Sequence, residues 1–232
     1  MSWRCFWKNI VKWKKYWRIE QSKNKRQIKM TEIIKDLATE KTVNGIKIPK
    51  RPKIKQGAFQ IYTGEGKGKS TASLGLMLRA LGSGMHVYYV RMLKPRWKTG
   101  ELKLCPENFH PNLNFRNVPH YWALCVSKTI PEDVETMKEK MEPEMEDLHE
   151  QVKSGKYDLI IADEINYCIY RGLLSVEKAI QIVEDRPKNV ELVFTGRYAH
   201  EELVERADMV TEMKKIKHHF DKGIRARIGI EF

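Results

Sequence analysis

From residue 58 onward the chain alternates between two periodicities. Short apolar, β-branched or aromatic runs, "AFQIYTG", "HVYYVRML", "LNFRNV", "YDLIIADE" and "VELVFTG", have the length and residue types of strands. Between them, "STASLGLMLRALG", "SVEKAIQIVED" and "AHEELVERA" place apolar residues three and four apart, as a helix with one covered face requires. A longer charged stretch, "PEDVETMKEKMEPEMEDLHEQVKSGK", is helical by the same test, with Pro143 placed where it would kink or split the helix. Strands and helices in alternation predict an α/β fold, a mainly parallel sheet with helices on both faces, since parallel strands need crossovers that cover the sheet. The polar run that ends in "ARIGIEF" carries no predicted element.

The first 57 residues follow a different pattern. "KTVNGIKIPKRPKIKQG" mixes Pro, Gly and Lys without helical period and predicts an extended linker. Before it, "MSWRCFWKNIVKWKKYWRIE" gathers Trp3, Phe6, Trp7, Ile10, Trp13 and Trp17 on one side of a helix, with basic residues elsewhere. That face suits a membrane surface or a partner subunit. It equally suits an extension that the folded part does not use, because Met30 opens "MTEIIKDLATEK" like an ordinary start. The predicted organisation is a basic aromatic extension and linker over residues 1–57 and one domain over residues 58–232.

Charge sharpens that division. The formal net charge is +13, but residues 1–57 hold 17 Lys and Arg against 4 Asp and Glu, leaving 26 of each sign in the remainder. The domain is therefore neutral and lacks the basic footprint of a nucleic-acid binder. Cys5, Cys105, Cys125 and Cys168 form no CxxC pair, so neither a zinc site nor a disulfide framework is indicated, and a reducing cytoplasm fits. No apolar run approaches the ~20 residues of a membrane span, so no membrane partner is expected.

The chemistry begins at "FQIYTGEGKGKS". Gly64, Gly66 and Gly68 let the backbone turn tightly and aim N–H groups inward, and Lys69 and Ser70 begin a helix whose N-terminus attracts anions. Gly68, Lys69 and Ser70 fit the end of the P-loop pattern GxxxxGK[ST], while Thr63 stands where its first Gly belongs. The loop lies between a predicted strand and a predicted helix, the context that the pattern needs. On the P-loop template Lys69 neutralises phosphate oxygens and the Ser70 hydroxyl ligates Mg²⁺, with Lys67 adding charge nearby.

Two strand ends add to it. "YDLIIADE" finishes in Asp163 and Glu164, at the carboxyl end of a strand where parallel-sheet ligand sites form, and adjacent carboxylates there can hold a hydrated Mg²⁺. The bland reading is that both cap the following turn. "FTGR" offers the Gly196 backbone and the Arg197 fork to a phosphate, although an Arg after a strand is usually solvated.

With these pieces in place the chain resembles the P-loop corrinoid adenosyltransferases, the ATP:cob(I)alamin adenosyltransferases. "YTGEGKGKSTASLGLMLRALGSG", "LIIADE", "RPKNVELVFTGR" and the tail "ADMVTEMKKIKHHFDKGIRARIGIEF" carry the likeness, over roughly residues 59–232. The resemblance implies a P-loop NTPase, RecA-like architecture. It implies transfer of the 5′-deoxyadenosyl group of ATP to Co(I) of a corrinoid with release of triphosphate, ATP lying reversed relative to P-loop hydrolases. On it, ATP meets Thr63, Gly64, Glu65, Gly66, Lys67, Gly68, Lys69, Ser70, Thr71 and Arg197, with Lys69 catalytic, and Mg²⁺ meets Ser70, Asp163 and Glu164. Tyr121 and Trp122 in "PHYWALCVSK" become candidates for the aromatics that displace the lower axial ligand of cobalt. Trp97 in "KPRWKTGEL" is another candidate, with Lys94, Arg96 and Lys98 available to acidic groups of the ligand. His120, His218 and His219 are assigned to no metal. A homodimer and an electron-donating flavoprotein complete what the resemblance implies.

Two rival classes stay open on the sequence. A kinase or hydrolase would use Asp163 or Glu164 to orient a hydroxyl or water and would release ADP. A nucleic-acid-binding ATPase would use the basic leader, against which the neutral domain argues.

Overall fold

The computed structural model describes residues 41–43, 45–93, 99–105, 109–118 and 134–232. These residues belong to one compact unit, Glu40–Phe232. The aromatic face of the leader lies outside the described residues, as do Lys94, Arg96, Trp97, Lys98, His120, Tyr121 and Trp122.

Six strands form the main sheet: β3 (Phe59–Thr63), β4 (Val87–Arg91), β5 (Leu113–Asn117), β6 (Leu159–Asp163), β7 (Glu191–Thr195) and β8 (Met209–Glu212). Their order is β5-β4-β6-β7-β3-β8, and every pairing is parallel. β4 and β6 are buried at all five positions, which is why their sequences run apolar without alternating. β7 separates the strand before the glycine loop from the strand that ends in Asp163, an order that agrees with the predicted RecA-like architecture.

Helices cover both faces. On one, Phe59, Ile61, Tyr88, Val90, Ile160, Leu192 and Phe194 meet α3 (Val134–Lys153), α5 (Val176–Glu184) and α6 (Glu201–Arg206). On the other, Tyr62, Val87, Tyr89, Ile161 and Val193 meet Met77, Ala80 and Leu81 of α1 (Lys69–Gly82), while Cys105, just past α2 (Gly100–Leu104), packs beside them. Each face removes apolar surface from water at about 25 cal/mol per Å². α1 thus lies flat on the sheet, and its N-terminus stands at the carboxyl ends of the strands.

Four expectations change. Pro143 neither splits nor ends α3, which runs as one helix. Pro143 and Glu139 are exposed, so the carbonyl that loses its N–H partner faces water, while Met141, Met145, Leu148 and Val152 hold the buried side. The polar C-terminal run contributes β8, an edge strand in register with β3 from Gln60↔Met209 to Thr63↔Glu212. Two short helices, α2 and α4 (Ile165–Tyr170), follow strand ends. The segment predicted to be a plain linker holds a small ribbon, β1 (Lys41–Val43) antiparallel to β2 (Ile46–Ile48). Beyond it Arg51 Nε donates to Asp158 Oδ2 at 2.8 Å and the Gly57 N–H to the Lys188 carbonyl at 2.7 Å, anchoring the entry to β3. Among the described residues no helix is long and apolar enough to cross a membrane.

Candidate nucleotide site

Residues 64–68 join β3 to α1. Gly68 precedes the helix at φ 132, no side chain caps this end, and the first turn holds no acidic residue, so the positive end of the helix dipole is left to a ligand. Lys69 is only 8% exposed and folds back over its own loop, its Nζ donating to the carbonyls of Gly64 at 2.6 Å and Gly66 at 2.8 Å. The ammonium thereby shapes the loop into a ring with a cation at its centre.

The glycines have a second purpose that spacing alone did not reveal. The Gly66 N–H donates to the Met213 carbonyl at 2.6 Å, and a Cβ at Gly64 or Gly66 would lie 2.6 or 2.5 Å from that oxygen. The loop is pressed against the chain leaving β8, so one N–H expected to face a phosphate is committed to Met213. The far end of the tail reaches the loop as well: Lys67 Nζ donates to the Ile230 carbonyl at 3.1 Å and to Glu231 Oε1 at 2.9 Å. Arg227 grips the same carboxylate at 3.0 Å, which holds Glu231 well below the usual carboxylate range.

Across the same edge, Asp163 ends β6 at 1% exposure. Thr195, wholly buried at the end of β7, donates its hydroxyl to Asp163 Oδ1 at 2.6 Å and accepts the Glu164 N–H at 3.0 Å. Thr195 escaped the sequence reading; the available signal was its place inside "FTGR". Thr195→Val keeps the volume but leaves a buried carboxylate oxygen short of its donor. We expect about 1–3 kcal/mol less stability, read from urea unfolding; an unchanged midpoint would show that the bridge contributes nothing.

The model for the family "ATP:corrinoid adenosyltransferase BtuR/CobO/CobP" matches residues 55–232, a span that contains the glycine loop, the Asp163–Thr195 bridge and the tail that grips the loop. The chain belongs to the ATP:corrinoid adenosyltransferase family. A corrinoid adenosyltransferase of Sinorhizobium sp is 34% identical over 178 residues, covering 76% of this chain and 81% of the relative. One from Pseudomonas aeruginosa is 33% identical, covering 76% and 84%, and one from Escherichia coli (strain K12) is 29% identical, covering 76% and 86%. Membership carries the enzyme class with it, the ATP-dependent adenosylation of corrinoids.

In this adenosyltransferase the other expected site residues divide. Glu164 takes a left-handed backbone, φ 69, and stands at the N-cap of α4, half-buried where Asp163 is buried. Gly196, at φ 132, lets the end of β7 pass α4 closely: a Cβ there would lie 2.8 Å from the Tyr167 nitrogen. Arg197 follows it, exposed, at the carboxyl edge of the sheet. Thr63 Oγ1 accepts from the Ala199 N–H and Glu65 from the Tyr198 hydroxyl, each at 3.3 Å, so both side chains reach the turn after β7. Thr71 is exposed on the first turn of α1. His218 and His219 stack on each other in the tail, His219 lying 3.9 Å from Glu231.

Among the described residues no group of three or more His, Cys, Asp or Glu could hold a metal by itself. The oxygen donors at hand, the Ser70 hydroxyl and the Asp163 carboxylate, suit a Mg²⁺ that arrives with phosphates and water as its other ligands. Such a set fits an ion that the nucleotide brings with it.

Proposed function

We propose that the enzyme joins the 5′ carbon of ATP to Co(I) of a corrinoid and releases inorganic triphosphate. The electron pair of Co(I) forms the cobalt–carbon bond as the bond from C5′ to the α-phosphate oxygen breaks; triphosphate leaves with the electron pair of that broken carbon–oxygen bond, and cobalt becomes formally Co(III). Co(I) is nucleophilic enough to need no general base, so the protein's task is to hold the carbon in line and receive a polyanion.

The observation that carries this reading is the uncapped α1 N-terminus with Lys69 folded over the loop. Lys69 and the α1 N–H groups take the leaving oxygens, Lys67 and Arg197 add charge at the rim, and the remaining loop residues, Thr63 to Thr71, border the nucleotide. Ser70, Asp163 and Glu164 would hold Mg²⁺, which, when bound, neutralises part of the growing charge. Asp163 is the stronger ligand of the two carboxylates, since Thr195 fixes it on the face that α1 covers. Tyr121 and Trp122 contact the corrinoid. The enzyme works in the cytoplasm as a homodimer, and a flavoprotein supplies the electron that makes Co(I); the family resemblance supports these three points. Residues 58–232 carry the chemistry, which agrees with the span of the family match.

Incubation with ATP, Mg²⁺ and chemically reduced corrinoid, followed by absorbance, tests the reading. A light-sensitive alkylated corrinoid supports it; ADP without alkylation would assign the loop to a kinase or hydrolase.

A further inference from the structure

Arg91 ends β4 in register with Asp163 on β6. Strand alternation sets it on the face of Val87 and Tyr89, which α1 covers. Two residues earlier on that face, the Tyr89 hydroxyl shares a 2.8 Å hydrogen bond with Ser73 Oγ, one turn beyond the start of α1. Arg91 therefore stands at the same sheet edge as the helix N-terminus and the Asp163–Thr195 bridge, yet the expected ATP contacts do not include it.

The guanidinium is 1% exposed. Nη1 donates to Thr99 Oγ1 at 3.0 Å, and Nη2 lies 3.3 Å from Glu101 Oε1, too poorly aligned for a hydrogen bond. Among the described residues neither Nε nor Nη2 has a hydrogen-bond partner. An arginine brings five N–H donors, and leaving most of them unmet in a buried setting is costly. An arginine whose only purpose was to neutralise Glu101 would be expected to grip it in the bidentate, aligned form that the fork allows. Open donors on a rigid, planar cation at this edge match the oxygens of a phosphate chain better than Thr99 and Glu101, its described neighbours, do.

We propose that Arg91 is a polyphosphate-binding residue, its Nε and Nη2 donating to phosphate oxygens of ATP and of the triphosphate that leaves. The proposal rests on the reading of the glycine loop as the phosphate cradle. It also gives Glu101 a role: the carboxylate competes with phosphate for Nη2.

Isothermal titration of the full chain with sodium tripolyphosphate tests it, with Arg91→Gln, Glu101→Gln and Lys69→Ala beside the wild type. Arg91→Gln is expected to weaken binding by about tenfold or more, as loss of charge-assisted hydrogen bonds requires, and Glu101→Gln to tighten it. If Arg91→Gln binds within twofold of wild type while Lys69→Ala loses binding, Arg91 is a structural counter-ion and the proposal falls alone. If Lys69→Ala also leaves binding unchanged, the cradle reading falls with it. Should Arg91→Gln fail to fold, Glu101→Gln decides: tighter binding supports the proposal, and unchanged or weaker binding overturns it.

Discussion

Lys69→Ala should lower turnover by about 10²-fold or more while leaving a folded protein. Removing one preorganised group that stabilises developing negative charge costs on the order of 10²–10³ in rate, and the triphosphate leaving group accumulates more charge than a single oxyanion. The lysine also organises the loop, since its Nζ bridges the Gly64 and Gly66 carbonyls. The change therefore acts twice, on charge and on the ring that presents the α1 N–H groups, so kcat should fall as well as ATP affinity. Steady-state kinetics with far-UV circular dichroism as the folding control checks this. A folded variant within threefold of wild type would remove Lys69 from the machinery.

Asp163→Asn carries the second large effect. The amide keeps the shape, and its oxygen can still accept the Thr195 hydroxyl, so the sheet edge should survive. Its lost charge matters to the ion: a hard cation that draws only one or two ligands from the protein is sensitive to each carboxylate. The Mg²⁺ concentration for half-maximal activity should rise roughly tenfold or more. Glu164→Gln should shift it less, because Glu164 is half-buried while Asp163 is buried and held by Thr195. Metal titrations of the two variants compare them directly. Equal shifts would mean that both carboxylates act on the ion, and no shift in either would leave them as turn caps.

The parts of the fold that were legible in the sequence share one physical trait. β4 and β6 are buried at every position and β3 and β7 at most of theirs, and that burial writes predominantly apolar runs. α1 and α5 show a helical period because one side of each is covered. β8 wrote no such signal: all four of its side chains are exposed, and what places it is backbone pairing with β3. α4 is too short for a period to register.

The site divides in the same way. Gly68, Lys69 and Ser70 are contiguous, so their chemistry shows as a motif. Thr195 acts on Asp163 from 32 residues away, and Lys67 meets Glu231 across 164 residues, distances that only the folded sheet closes. Arg91 sat inside a strand pattern, where a charged residue reads as the end of an apolar run and not as a ligand group. Asp163 and Glu164 are adjacent in sequence, but the left-handed backbone at Glu164, φ 69, is a torsion that no motif announces.

In the proposed reaction the nucleophile attacks carbon and all three phosphates leave together. Phosphorus NMR of a reaction with ATP, Mg²⁺ and pre-reduced corrinoid, run in the dark beside the corrinoid absorbance, tests it most directly. Intact triphosphate should accumulate in equal amount to the alkylated corrinoid, with neither product formed when Co(I) is omitted. ADP with free phosphate, or triphosphate release that continues without Co(I), would contradict it.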